Sequence, residues 1–456
     1  MAEALDSMRG LKSTIALIVV LAGLGAYIYF VTWKQADTAS TSNKEKVFSS
    51  VEADKIEDLK VTSSAGDATS LKKSGGEWQI VQPIAAKADA SEVNGITAAL
   101  SSIEITRVVD ENPSSLNDYG LSNPRVEIEF KTGGAKDYRK LLIGEKSPTG
   151  SDLFAKRNDE KKVFLIPAFQ ESTFDKKTFD LRMKQLIAID RDKIDALHVV
   201  ANGKTVDFAK DGGDWKIVKP VQTKADFGSV EGLIGRVQSA QMKSIVADEA
   251  NAADLRKYGL DKPQVTVDLN AGSSKATLLI GGKADDNTVY ARDASRPAVV
   301  TIEKSLVDDL SKGADDYRVK DLFQFRAYNA NHVEITRGDQ KAIFDRVKGQ
   351  GENAQDKWHR ANPSPADLDR DKVDAVLAKL ANMRAASFVE STAKTGLDKP
   401  AMAVYVKFDD GRKEERITFG KTGDDVFAAR PGEAGAMKTD AADFTEFNKS
   451  LDEIVK

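Results

Sequence analysis

Four short patterns recur in this chain three times each, in one order and at a spacing of about 140 residues. GGEWQIVQP at 75–83 returns as GGDWKIVKP at 212–220 and as DKWHRANP at 356–363. YGLSNP from Tyr119 returns as YGLDKP from Tyr258 and TGLDKP from Thr395. LLIG ending at Gly144 returns as LLIG ending at Gly281 and ITFG ending at Gly420, and LFAKR from Leu153 is followed by VYARD from Val289 and VFAAR from Val426. Chance does not order four anchors at one period. The period is far above the roughly 20–50 residues of solenoid units, and each copy is long enough for its own core. The chain therefore reads as tandem duplicated domains, expected over 47–185, 186–322 and 323–456.

Within a copy, alternating segments such as KIEDLKVTS from Lys55 and KIDALHVVA from Lys193 predict half-buried strands. Gly75-Gly76 and Gly212-Gly213 supply the positive φ of a tight hairpin, and the following strand carries Trp78 or Trp215 and stops at Pro83 or Pro220. Val373, Val376, Leu377, Leu380 and Met383 then mark one apolar face of a helix. Val93, Ile96, Leu100 and Ile103 repeat that face in the first copy, and Val230, Leu233, Ile234 and Val237 in the second. The Tyr-Gly-Leu-x-x-Pro element reads as a helix end, with Gly120 or Gly259 left-handed and proline forbidding continuation. Four shorter strands and a closing helix complete each copy. The predicted class is α+β: a mainly antiparallel-sheet domain with two helical segments, three times over. The junctions at DLRMKQLIAID (from Asp180) and DYRVKDLFQFR (from Asp316) hold no Gly/Ser linker, so neighbouring copies are expected to pack semi-rigidly.

The W-x-(I/V)-x-x-P strand, the YGL-x-x-P turn, the LLIG strand and the DLR-x-K-x-(L/I) ending resemble the domain-of-unknown-function family numbered 4340. The resemblance covers nearly everything after residue 46; the third copy departs from it at Thr395 and in ITFG. It implies a bacterial protein, with a single membrane helix ahead of the domains in many members. Some members neighbour ABC-type export systems of the gliding-motility-associated kind. The family carries no established activity.

From Ser13 to Trp33 no residue is charged. As a helix this run spans about 30 Å, enough for a hydrocarbon core, and Tyr27, Tyr29 and Trp33 gather at one end, where amphipathic rings favour the interface. A cleaved signal peptide would have a shorter apolar core and small residues at its end. The expectation is a tail over 1–12, a transmembrane helix over 13–33 and a flexible tether over 34–46. Arg9 and Lys12 before the span are balanced by Lys34, Lys44 and Lys46 after it, so flanking charge does not set the orientation. The arrangement still resembles a signal anchor of the inner membrane, with the large C-terminal part in the periplasm or extracytoplasmic space.

The chemistry on offer is narrow. There is no cysteine, which excludes disulfides, thiolate metal sites and cysteine nucleophiles. The net charge of -4, with both signs interleaved, gives no basic stripe for nucleic acid. His198, His332 and His359 fall at strand or turn positions without metal spacing; His198 matches Lys60, and His332 falls near Lys55 and Lys193. The segments DRDKID from Asp190 and DRDKVD from Asp369 lack the glycine and glutamate of a calcium loop, and Asp369 and Asp371 suit a helix start. Asp285-Asp286, Asp409-Asp410 and Asp424-Asp425 suit turns. The glycine pairs lead into strands rather than helices, so they form no phosphate cradle. No catalytic, cofactor or metal residue is expected. Trp78, Trp215 and Trp358 could stack on sugars, but equivalent placement in all copies favours a core role. The expected function is a non-enzymatic envelope scaffold or accessory protein, with a membrane anchor and a protein partner, an ABC-type exporter among the candidates. The alternatives are a peptidoglycan- or polysaccharide-binding module and, less favoured, a hydrolase.

Overall fold

A computed structural model of the chain describes residues 45–349 and 355–456. The span expected over Ser13–Trp33, with its tail and nearly all of the tether, lies outside the described residues. Among the described helices none is long and apolar enough to cross a membrane. The described residues fall into two compact units, one closing at Met183 and one spanning Lys184–Lys456.

The first unit holds a sheet of nine strands: β1 Ile56–Thr62, β2 Ala68–Ser74, β3 Glu77–Gln82, β4 Ala86–Lys87, β5 Arg107–Asp110, β6 Val126–Thr132, β7 Arg139–Lys146, β8 Asp152–Arg157 and β9 Val163–Pro167. Their spatial order is β4-β3-β2-β1-β6-β7-β8-β9-β5, every neighbour antiparallel. Two four-stranded meanders thus join along β1 and β6, where Leu59 faces Phe130, and β5 closes the far edge against β9. Leu59 and Val61 of β1 alternate with more exposed neighbours, as half-buried strands require, and Ile56 is buried too, across a register irregularity between Ile56 and Asp58. Across that core lies the helix Ala90–Ser102, which buries Val93, Ile96 and Leu100. Asp89 caps it by accepting from the Ser91 and Glu92 N–H groups.

The second unit contains two more sheets of the same order, over Ala196–Glu303 and Ala330–Thr439. Three nine-stranded antiparallel sheets in tandem, each with helices, make an α+β repeat protein. The capped helices recur as Phe227–Gln238 and Arg370–Ala381, with Asp226 and Asp369 as caps. Asp369 thus starts a helix, as the sequence suggested, with its carboxylate accepting from the Lys372 N–H.

Three features depart from the sequence reading. β4 and β5, with their counterparts, were not foreseen. The closing helix is long only in the third copy, at Ala441–Val455; in the first copy it is split into Glu171–Phe174 and Thr178–Leu181. The YGL turn ends an α-helix, as expected, only in the second copy, at Ala252–Lys257, held by a reciprocal cap between Asn251 and Asp254; in the first copy it ends a single 3-10 turn, Asn117–Tyr119, and in the third no helix precedes it.

Two of the repeated patterns meet. Gly120, Gly259 and Gly396 of the YGL element are left-handed, at φ 68°, 71° and 73°. The turn they make lies against the glycine that ends each LLIG strand. A Cβ on Gly144, Gly281 or Gly420 would sit 2.1, 2.2 or 2.3 Å from the carbonyl oxygen of Tyr119, Tyr258 or Thr395. These glycines are there for close approach of backbone to backbone.

Within the second unit the connector between the second and third copies is itself hydrogen-bonded on both sides. Arg318 pairs with Ala225 of the second copy, and Asp321 pairs with Arg384 of the third. The Arg318 guanidinium is buried and lies 3.8 Å from the Phe388 ring centroid. Arg430 donates to the carbonyls of Asp321 and Leu322, and Glu433 accepts from both Arg430 and Thr223. A desolvated cation–π contact contributes about 2 kcal/mol, so Arg318→Ala is expected to uncouple the two copies. The check is denaturant unfolding of the full chain, where the variant should gain a separate transition for one copy; an unchanged profile would remove Arg318 from the junction.

Candidate functional site

The three repeated tryptophans are the candidate ligand platform that the sequence offers. Trp78, Trp215 and Trp358 are 3%, 1% and 0% exposed, which leaves no ring face for a sugar. Each lies under a cation: Lys73 at 6.0 Å, Lys210 at 4.9 Å and Arg346 at 4.7 Å from the ring. In the second and third copies the indole N–H donates to Glu231 and Asp374 on the capped helix, at 2.9 Å in both. Burial pushes the Glu231 carboxyl up, but the Trp215 N–H, with Lys210 and Arg191, outweighs it and holds the group below its ordinary value. The arrangement ties helix to sheet. It is a core device.

Each histidine is paired to carboxylates at a different place. His198 meets Asp207; His332 meets Asp345 at 2.6 Å and Glu334 at 3.0 Å; His359 meets Asp367 at 3.0 Å. The strand register places His198 with Lys60, as the sequence suggested, but His332 with Asp58 and Ala196 instead of Lys55 and Lys193. Among the described residues no group of three His, Asp or Glu side chains could hold a metal ion. Two acidic pairs lie in turns: Asp285 accepts from the N–H groups of Asn287 and Thr288, and Asp409 and Asp410 have φ of 54° and 57°; of the third, Asp424 is in the turn and Asp425 opens the strand Asp425–Ala429.

The site with convergent polar groups is a groove of about 550 Å³ at the junction of the second and third copies. Its walls combine Lys224, Lys413, Arg416 and Arg430 with Glu414, Glu415 and Glu433, over Leu322, Phe408 and Ile417. Glu415 receives the Gln324 N–H on both oxygens, at 2.8 and 2.9 Å. Burial pushes its carboxyl up, opposed by the backbone N–H groups of Gln324 and Phe325 and by Arg430 and Lys224. The same strand position holds Arg139 in the first copy and Ala276 in the second, so this carboxylate belongs to the third copy alone. The lining residues offer neither a histidine nor a hydroxyl or thiol nucleophile. Both Glu415 oxygens are engaged by backbone, which makes the residue an anchor for the incoming chain. What the groove can do is hold an extended, zwitterionic segment by ion pairs.

A pH effect follows. The folded carboxyl of Glu415 binds its proton more tightly than the unfolded one, so its contribution to stability is present at low pH and lost as pH rises through the raised value. As pH rises above the ordinary glutamate value of about 4.3, Glu415→Gln should gain stability relative to the unchanged chain in parallel chemical denaturation series. A constant difference would contradict the assignment.

The family described as "Domain of unknown function (DUF4340)" matches the chain in three segments, 78–217, 215–400 and 358–456. No curated protein matches it. Two solved structures of the DNA polymerase sliding clamp from Pseudomonas aeruginosa, one with ligand, are 8% identical and align over 86% of this chain and 93% of theirs. Their TM-scores are 0.15 and 0.17, too low to bear on fold or function.

Proposed function

The chain belongs to the DUF4340 family, and from that premise we propose that it is a non-enzymatic, membrane-anchored scaffold or accessory protein of the cell envelope. The uncharged run Ser13–Trp33 would anchor it in the inner membrane. The three copies would then stand in the periplasm or extracytoplasmic space and present surfaces to a protein partner, for which an ABC-type exporter is a candidate.

The observation that carries this reading is the bonded junction between the second and third copies. Tandem copies locked by a two-sided connector, a buried arginine and a cross-copy Thr223–Glu433 bond suit a protein that holds partners at a fixed spacing. The non-enzymatic part rests on the site chemistry: the junction groove brings ion-pairing groups together with no histidine, hydroxyl or thiol among its lining residues. A polysaccharide-binding role would need aromatic faces that the buried tryptophans do not offer.

The test is co-purification. Cells carrying a C-terminally tagged full chain are crosslinked, the membranes are extracted in detergent and the captured proteins are identified. Enrichment of envelope proteins from the membrane fraction is expected. A chain that fractionates with soluble protein and captures none would refute the reading.

A further inference from the structure

The segment that leaves each of the first two copies fills a position at the edge of that copy's own sheet. In the first copy Arg182 pairs with Ala88; the Asp89 N–H donates to the Leu181 carbonyl at 2.8 Å and the Met183 N–H to the Lys87 carbonyl at 2.9 Å. In the second copy Arg318 pairs with Ala225, the Asp226 N–H donates to Tyr317 at 2.7 Å and the Val319 N–H to Lys224 at 3.5 Å. Each filler leaves a short helical turn and becomes extended at its arginine, Arg182 or Arg318; the two share the pattern Asp-(Leu/Tyr)-Arg-x-Lys, with Leu181 and Tyr317 buried.

The third copy has the same edge. Leu368 stands opposite Trp358, as Ala88 and Ala225 stand opposite Trp78 and Trp215, which fixes Asp367 and Asp369 as the outward-facing neighbours. Here the helix Ala441–Val455 takes the place of an outgoing strand, and its end binds elsewhere: Arg360 donates to the Ile454 carbonyl at 2.9 Å. Among the described residues no backbone group pairs with the Asp369 N–H across this edge. Ala88 and Ala225 are 2% and 6% exposed under their fillers, whereas Leu368 is only partly buried. The charge is also inverted: where the filled edges carry Lys87 and Lys224, the open one carries Asp367.

We infer that the edge at Asp367–Asp369 is a strand-addition site for an extended basic segment of a partner protein. The segment would place a bulky apolar residue followed by arginine opposite Leu368. Backbone hydrogen bonds would supply affinity, and the exposed Asp367 carboxylate, beside His359, would select for basic residues, while that of Asp369 stays in the helix cap. The edge is short and charged, which disfavours indiscriminate pairing. This deepens the scaffold reading by naming where a partner binds.

The test uses the full chain and two fluorescent peptides: residues 314–320 (ADDYRVK) and the same peptide with Asp315→Lys and Asp316→Lys. Both should bind with 1:1 stoichiometry, the basic peptide about two- to fivefold more tightly, the range of an exposed ion pair. Peptide addition should protect the Asp369 amide from hydrogen exchange. Asp369→Pro, which removes that N–H, should abolish binding; Asp367→Lys, an exposed change that spares the helix cap, should reverse the preference between peptides. No binding, or binding that both variants leave unaltered, overturns the inference. So does a dimer of the chain alone that Asp369→Pro dissolves, since the occupant would then be a second copy. Absence of peptide binding alongside recovered envelope partners removes this site and leaves the scaffold reading standing; peptide binding without any envelope partner does the reverse.

Discussion

Trp358→Ala is expected to destabilise the third copy by about 3–5 kcal/mol, the range for deleting a large aromatic from a core. The ring is fully buried, sits between the Arg346 guanidinium and the helix Arg370–Ala381, and donates its N–H to Asp374. Truncation removes the ring's contacts, leaves a cavity and strips Asp374 of one of its donors. Arg346 and Arg370 would still hold that carboxylate, so the loss should come mainly from packing. Against a total stability of about 5–15 kcal/mol for a typical domain, such a cost removes a large share of one copy's stability. Denaturant titration followed by far-UV circular dichroism measures it. A cost under about 1 kcal/mol would mean that the ring is free to serve as a ligand platform, and would revive the polysaccharide reading.

The second large effect is expected from one methyl group. Gly281→Ala would place a Cβ 2.2 Å from the Tyr258 carbonyl oxygen and 3.0 Å from the Leu260 side chain. Both the strand and the left-handed turn at Gly259 are backbone at that point, so neither can yield as a flexible side chain would. Overpacking of a rigid contact costs about 1–3 kcal/mol and occasionally more, and this contact belongs at the upper end. Gly232→Ala is the control: a Cβ there meets nothing within 4 Å, and the site is an exposed helix position. It should be neutral or mildly stabilising, since alanine favours a helix by about 1 kcal/mol over glycine. Equal behaviour of the two variants in thermal unfolding would refute the close approach.

The repeats made much of this fold legible from sequence. The Gly-Gly hairpins, the tryptophan strands, the capped helices and the left-handed YGL glycines all follow from local rules, because each depends on residues close together in the chain. β4 and β5 escaped because two to four residues are too few to show a period. That YGL and LLIG touch also escaped: each pattern was visible, but their contact spans more than twenty residues and needs the sheet to bring it about. The junction groove was hidden for the same reason. Glu415 is one charge among many in KEERITFG, and its anchoring role exists only once Gln324 arrives opposite. The unfilled edge at Asp367–Asp369 becomes visible only by comparing the three copies in space.

Function carried on surfaces rather than in a catalytic pocket can be tested cleanly because the chain has no cysteine. Single cysteines can be introduced at exposed positions of the full chain, at Asp367, at Lys413 beside the junction groove and at Asp67 in the first copy, each carrying a photo-crosslinker in cells. The account predicts that a defined set of positions captures the same envelope protein, with Asp367 among them and others silent. Uniform silence at all positions, in cells where the chain is correctly folded and membrane-bound, would contradict it.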